Sequence, residues 1–194
     1  MNPAFIRDVG VTRWLVRKSV REFTTRILRR GNGLELPTGL PIHLPKGNHF
    51  SSDVFVTNCD LDWGSERLLA ECLDADGVFL DIGAHIGYYS LYMLPLVRAV
   101  YAFEPDPRSR VWLERNLGGY PNGFILSSAV GAECGRHAYA LAPVPELSHL
   151  VRPGAGEPGA TTVISDVVTV DEFIRREGVR APASKSMWKD PTWR

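Results

Sequence analysis

The sequence predicts an α/β protein whose main body is a doubly wound parallel sheet. Three observations carry that expectation. From residue 77 onward, short apolar runs alternate with amphipathic segments of helical length. A glycine-bearing turn, Asp81-Ile82-Gly83-Ala84-His85-Ile86-Gly87, separates the first such run from the first of these helices. An acid, Glu104, closes the second run, 17 residues beyond Gly87. The body is expected to be incomplete at its C-terminal end and to follow a helical and small β extension.

In chain order, Asn2-Pro3 has the form of a helix start, and Phe5, Val9, Trp14, Val20, Phe23 and Ile27 recur at roughly helical spacing up to Gly31-Asn32-Gly33. Residues 3–30 therefore read as one or two amphipathic helices with arginine on the outer face. Short extended patches follow at Leu34–Leu36, Ile42–Leu44 and Val54–Thr57, separated by prolines and Gly47, and suggest a small β layer. Residues 61–74 read as a helix with Ser65 as cap. The alternating body then predicts strands at 78–82, 99–103 and 124–130, and helices at 86–94 and 107–117. Residues 131–161, rich in proline and glycine, read as a loop with a short hairpin at 137–142. A strand is expected at 162–170 and a short helix at 171–177. The resulting division is an extension over 1–60, an α/β body over 61–183 and a tail over 184–194.

Composition narrows the class. The 194 residues are 44% hydrophobic and 23% charged, which excludes disorder as the main state. The net charge of zero conceals a net of +6 over residues 1–30 and −6 over the rest. The basic segment suits an anionic surface, a membrane or an acidic partner, or else a helix packed on the body with its charges solvated. Cys59, Cys72 and Cys134 are odd in number and widely spaced, so reduced thiols and a cytoplasmic location are expected, with no zinc spacing and no metal site. No apolar run reaches the ~18 residues of a membrane span, and the N-terminus lacks the pattern of a secretion signal. The net acidic body speaks against a nucleic-acid partner.

The chemistry is concentrated around the glycine turn. Glycines permit a sharp turn and close approach of a ligand, and N–H groups at the start of the next helix can serve as donors. An acid at the position of Glu104 can accept both hydroxyls of a ribose, as in dinucleotide folds. A dinucleotide fingerprint fits poorly, because His85 and Tyr88 stand where its second and third glycines belong. S-adenosylmethionine has no pyrophosphate and tolerates a side chain at 85. Asp81, at the strand end, suits that ligand's ammonium and sulfonium charges, or else partners the following helix terminus.

Val78-Phe79-Leu80-Asp81-Ile82-Gly83-Ala84-His85-Ile86-Gly87-Tyr88-Tyr89-Ser90, then Tyr101-Ala102-Phe103-Glu104-Pro105, Ser128-Ala129-Val130-Gly131 and Val168-Thr169-Val170-Asp171-Glu172-Phe173 together resemble the FkbM family of methyltransferases over roughly residues 60–175. The resemblance implies a Rossmann-like S-adenosylmethionine-dependent O-methyltransferase acting on a small-molecule or glycan acceptor: a hydroxyl of a sugar, glycolipid or polyketide-type product. It assigns Asp81, Gly83, Ala84 and Gly87 to the methionine part of the cofactor, with His85 in place of the more usual Asn. Glu104 would hold the ribose, with Pro105 and Asp106 beside it, and Ser128 and Ala129 would flank the adenine. The catalytic base is unassigned; His137 and His149 lie in the loop that could face a substrate.

In that family a further strand, approximately Ile-Lys-Ile-Asp-Val-Glu-Gly, is expected near residue 184, where this chain has Ser184-Lys185-Ser186-Met187-Trp188-Lys189. Read one frame away, the implied codons permit Lys-Val-Asp-Val-Glu-Gly-Pro, with Val and Glu forced by Met187-Trp188-Lys189. Either the match is coincidence and the C-terminus naturally short or, as expected here, a frameshift near 184 cuts a longer reading frame. It would leave the first strand of the sheet as an exposed apolar edge, and the product weak in cofactor binding and prone to aggregate, a catalytically inactive remnant.

Overall fold

The computed structural model describes residues 6, 9–23, 32–151, 161–179 and 183–186. The chain divides into two compact units, Met1–Glu71 and Cys72–Arg194. The expected helix start at Asn2-Pro3 and the stretch 24–31 lie outside the described residues.

In the first unit, α1 (Val11–Glu22) is followed by an antiparallel hairpin, β1 (Asn32–Glu35) and β2 (Pro41–Leu44), then α2 (His49–Thr57) and α3 (Ser65–Glu71). Gly39, at φ 88°, supplies the left-handed residue of the hairpin turn. Leu36, Ile42, Leu44, Val54, Val56 and Cys59 are buried as the core of this unit.

Two expectations for this unit are corrected. Val54–Thr57 is helical rather than extended. Asn48 caps the helix by accepting the Ser51 N–H at 2.8 Å, and Asn58, at φ 60°, ends it, so four β-branched or aromatic residues belong to a capped helix. The arginines of α1 do not all face outward. Arg17 donates to the Phe55 carbonyl at 2.8 Å. Arg21 is buried and donates to Ser52 Oγ and to the Pro45 carbonyl, each at 3.0 Å. Both guanidinium groups lie over the Phe55 ring. Ser65 is not a cap either: Glu66, 2% exposed, accepts the N–H groups of Leu61 and Asp62 ahead of α3.

The second unit holds the expected α/β body. Strands β3 (Val78–Ile82), β4 (Ala99–Phe103) and β5 (Gly123–Leu126) run parallel, connected by α4 (Tyr88–Met93) with a 3-10 turn and by α5 (Pro107–Leu117). All five residues of β3 are buried, as expected of a strand covered on both faces. Asp106 caps α5 and Pro107 occupies its first turn. On one face of the sheet, Val78, Leu80, Ile82, Ala99 and Phe103 pack against Phe173 of α6 (Val170–Glu177). Phe173 meets Tyr101 and Phe103 edge-on, with centroids 5.0 and 4.9 Å away.

The expected third strand, 124–130, is split. After β5 the chain steps through Ser127-Ser128 into β6 (Ala129–Val130), which belongs to a second sheet of order β6-β9-β7-β8. There β7 (Gly135–Leu141) pairs antiparallel with both β8 (His149–Leu150) and β9 (Thr161–Val168). Part of the expected loop at 131–161 is therefore sheet.

The expected exposed edge is also corrected. Strand β10 (Ala183–Ser186) runs parallel to β3, with Ala183 opposite Phe79 and Ser186 opposite Ile82. The parallel sheet has the order β10-β3-β4-β5, so β3 is an interior strand. The backbone ladder is satisfied even though Ala-Ser-Lys-Ser lacks an apolar strand pattern.

Candidate cofactor site

The site is built where β3 and β4 end side by side, with Ile82 opposite Phe103. The turn that follows β3 is held by backbone bonds to β4: the N–H groups of Gly83 and Ala84 both donate to the Phe103 carbonyl at 3.0 Å. Gly83, His85 and Gly87 have φ of 73°, 53° and 85°. A non-glycine residue in that region is strained, though His and Asn are among those that tolerate it. The strain at His85 is offset by its own N–H, which donates to Glu104 Oε2 at 2.7 Å. At Gly87 a Cβ would lie 2.8 Å from Leu113 Cδ1, so glycine is required where α4 approaches α5. Asn116 of α5 locks the turn by donating to the Ile86 carbonyl at 2.7 Å.

The N–H groups of Gly83, Ala84, His85 and Gly87 are engaged within the protein, the last with the Ala84 carbonyl. What the turn holds in place is the carboxylate of Glu104. Its second oxygen, Oε1, accepts the Asp106 N–H at 2.8 Å. Glu104 is 5% exposed, and burial raises its pKa to about 7, against the lowering effect of those two N–H groups and with the negative charges of Asp106 and Asp81 adding to the rise.

Asp81 is fully buried and accepts the Ser90 hydroxyl at 2.7 Å, which ties the end of β3 to the first turn of α4 through a side chain rather than a backbone cap. At Asp106, burial would raise the carboxyl. Hydrogen bonds from the Arg108 side chain and backbone and from Ser148 outweigh that effect and hold it below the usual carboxylate range. The Arg108 guanidinium grips both Asp106 oxygens, at 3.0 and 2.6 Å.

A strap over residues 145–148 closes on this cluster. Ser148 Oγ donates to Asp106 Oδ2 at 3.0 Å and accepts from Arg108 at 3.2 Å and from the Ala142 N–H at 3.1 Å. Glu146 Oε1 lies 3.5 Å from His85 Nε2, a contact that becomes an ion pair when the imidazole is protonated. Tyr139 on β7 is buried, and its hydroxyl is pushed up by burial and by the negative charges of Glu104 and Asp106.

Of the residues expected at the site, Asp81, Gly83, Ala84, His85, Gly87, Glu104 and Asp106 are therefore joined through the turn, Pro105 lies between Glu104 and Asp106, and Ser128 and Ala129 begin the step into the second sheet. The N–H of Glu104 donates to the Leu126 carbonyl at 2.9 Å, two residues before Ser128. His137 sits opposite Ser165 in the β7–β9 ladder, and the His149 ring meets the Leu147 carbonyl at 3.0 Å. Arg108, Tyr139, Glu146 and Ser148 were not anticipated. Arg108 had a signal in the Asp106-Pro107 helix start; the strap residues lay in a segment without periodicity.

No family model matches the chain, and no curated protein matches it. Among solved structures it is similar to an rRNA methylase from Streptococcus thermophilus, at 24% identity over 34% of this chain and 40% of that one, with a TM-score of 0.32. It is also similar to precorrin-6y C5,15-methyltransferase from Geobacter metallireducens, at 22% identity over 32% and 37%, with a TM-score of 0.30. A third is M. jannaschii TYW2 in complex with AdoMet, at 18% identity over 45% and 39%, with a TM-score of 0.34. The chain spans about two fifths of the length of each of these structures.

Proposed function

We propose that the chain is a methyltransferase that uses S-adenosylmethionine. The observation that carries this reading is Glu104, a buried carboxylate at the end of β4 clamped to the turn after β3 by the His85 N–H. Each of its oxygens accepts one backbone N–H and retains a second lone pair, which fits a ribose diol as donor. When bound, S-adenosylmethionine supplies a methyl group already activated by its sulfonium. Asp81 contributes negative charge at the strand end, where the methionine portion would lie, and Ser128 and Ala129 would flank the adenine. Asp106 holds the start of α5 and, through Ser148, the strap, which would shield the cluster from water. The protein's remaining task is alignment of an acceptor oxygen.

The finer reading is an FkbM-type O-methyltransferase acting on a hydroxyl of a sugar, glycolipid or polyketide-like product. The four motif blocks that include Asp81–Gly87 and Tyr101–Pro105 support it, as does the acidic body, which is unsuited to a polyanionic acceptor. Isothermal titration with S-adenosylmethionine and S-adenosylhomocysteine tests the cofactor. Because β10 covers the edge of β3 whose exposure would have weakened cofactor binding, micromolar binding that Glu104→Ala weakens at least tenfold is expected, and binding of NAD with neither of these ligands would overturn the reading. Transfer of labelled methyl to glycan or lipid extracts and not to RNA is the expected acceptor result; labelling of RNA alone would replace the finer reading.

A further inference from the structure

Helix α1 is mounted the reverse of an ordinary surface helix. Its inward side carries Arg17 and Arg21, bonded to the Phe55 carbonyl, Ser52 and the Pro45 carbonyl. Its other side carries Val11, Leu15, Val16 and Val20, with Phe23 just past its end, and each of these is at least 50% exposed. At 100° per residue these five fall within one half of the helix circumference, with exposed Thr12 and Ser19 between them and exposed Arg13 at the border. The only acid of α1, Glu22, falls within that half, between Val11 and Leu15. Five half-exposed hydrophobic residues gathered on one helix side mark a docking site rather than scattered exposure.

Charge identifies the occupant. The first 30 residues carry a net charge of +6. Beside α1 is a cleft of about 330 Å³ lined by Lys18, Arg21 and Lys46 together with Glu22 and Asp53. A low-hydrophobicity helix with one apolar side and flanking cations has the form of a helix that lies in a membrane interface. Val11, Leu15, Val16 and Val20 are aliphatic side chains interspersed with hydroxyls, and with Phe23 as the one aromatic among them they suit a fluid apolar phase.

We propose that α1 lies in the surface of an anionic lipid bilayer, with Val11, Leu15, Val16, Val20 and Phe23 at the acyl boundary and Arg13, Lys18 and Lys46 facing phosphate headgroups. This does not depend on the methyltransferase reading.

Flotation of the full chain with vesicles tests it. Binding to phosphatidylcholine–phosphatidylglycerol vesicles, and not to phosphatidylcholine alone, is expected. The double variant Val16→Glu/Val20→Glu should bind about a hundredfold more weakly, since each buried valine is worth about an order of magnitude. Lys46→Glu should weaken binding about tenfold and make the remaining binding less sensitive to salt. Both changes fall on the surface of the unit, and an unchanged circular dichroism spectrum checks the fold. Equal binding to neutral vesicles overturns the proposal, as does anionic binding that the double variant leaves intact. So does the absence of vesicle binding with a dimer that the double variant converts to monomer, which would assign the face to a second copy.

Discussion

Glu104 is a carboxylate whose surroundings oppose its charge, and this has a measurable consequence. An acid raised in the folded state retains its proton where the unfolded chain has released it. Its effect on stability is therefore nil below about 4.5, grows unfavourable as pH rises and levels off above about 7. The chain is expected to lose on the order of 3 kcal/mol between those limits from this group. Glu104→Gln should flatten that part of the profile in urea melts taken across the range. Ribose hydroxyls would favour the ionised form, so S-adenosylmethionine should bind more tightly as pH rises through about 7, with protons released to the buffer. Gly87→Ala tests the packing below: with φ at 85° and Leu113 2.8 Å from the new methyl, a loss of about 2–4 kcal/mol is expected in the same melts. At this scale the sequence was informative about placement: Asp81 in β3 and Glu104 just after β4 stand where the strands end side by side. It was silent on Glu146 and Ser148, because their partners His85 and Asp106 are far away in the chain and a loop has no period to announce which residue will arrive there.

The elements of the body were legible because β3 and β4 are continuous apolar runs and α5 begins with Asp106-Pro107. Where elements were misread, local chemistry outweighed composition. Val54-Phe55-Val56-Thr57 has strand composition, but Asn48 had already started a helix by accepting the Ser51 N–H. Asn48→Ala should therefore cost about 1 kcal/mol and lower the helical signal at 222 nm on heating. The outward arginines were misjudged because a wheel shows which residues share a side and not which side is buried. The strap makes its own prediction. Arg108→Ala removes the grip on Asp106 and the bond to Ser148, so faster proteolytic cleavage around 143–148 is expected, and S-adenosylmethionine should slow it again if the strap closes over the cofactor.

At the scale of the molecule, two cores coexist in one chain: one centred on Ile42, Leu44 and Val54, the other on Phe173 against β3 and β4. Phe173→Ala should cost about 3–5 kcal/mol and Ile42→Ala about 2–5 kcal/mol. The two residues belong to separate compact units, so the double variant should equal their sum within about 0.5 kcal/mol in denaturant titrations, while a larger discrepancy would mean the cores are coupled. The sheet order β10-β3-β4-β5 carries a consequence for how the protein is made. Strand β3 leaves the ribosome early, and its neighbour β10 is synthesised about a hundred residues later. At about 5–20 residues per second, β3 waits roughly 5–20 s with one flank unpaired. During that interval a nascent chain displays an open apolar strand to every chaperone and every other polysome product nearby, and it is covered only once residues 183–186 have been made.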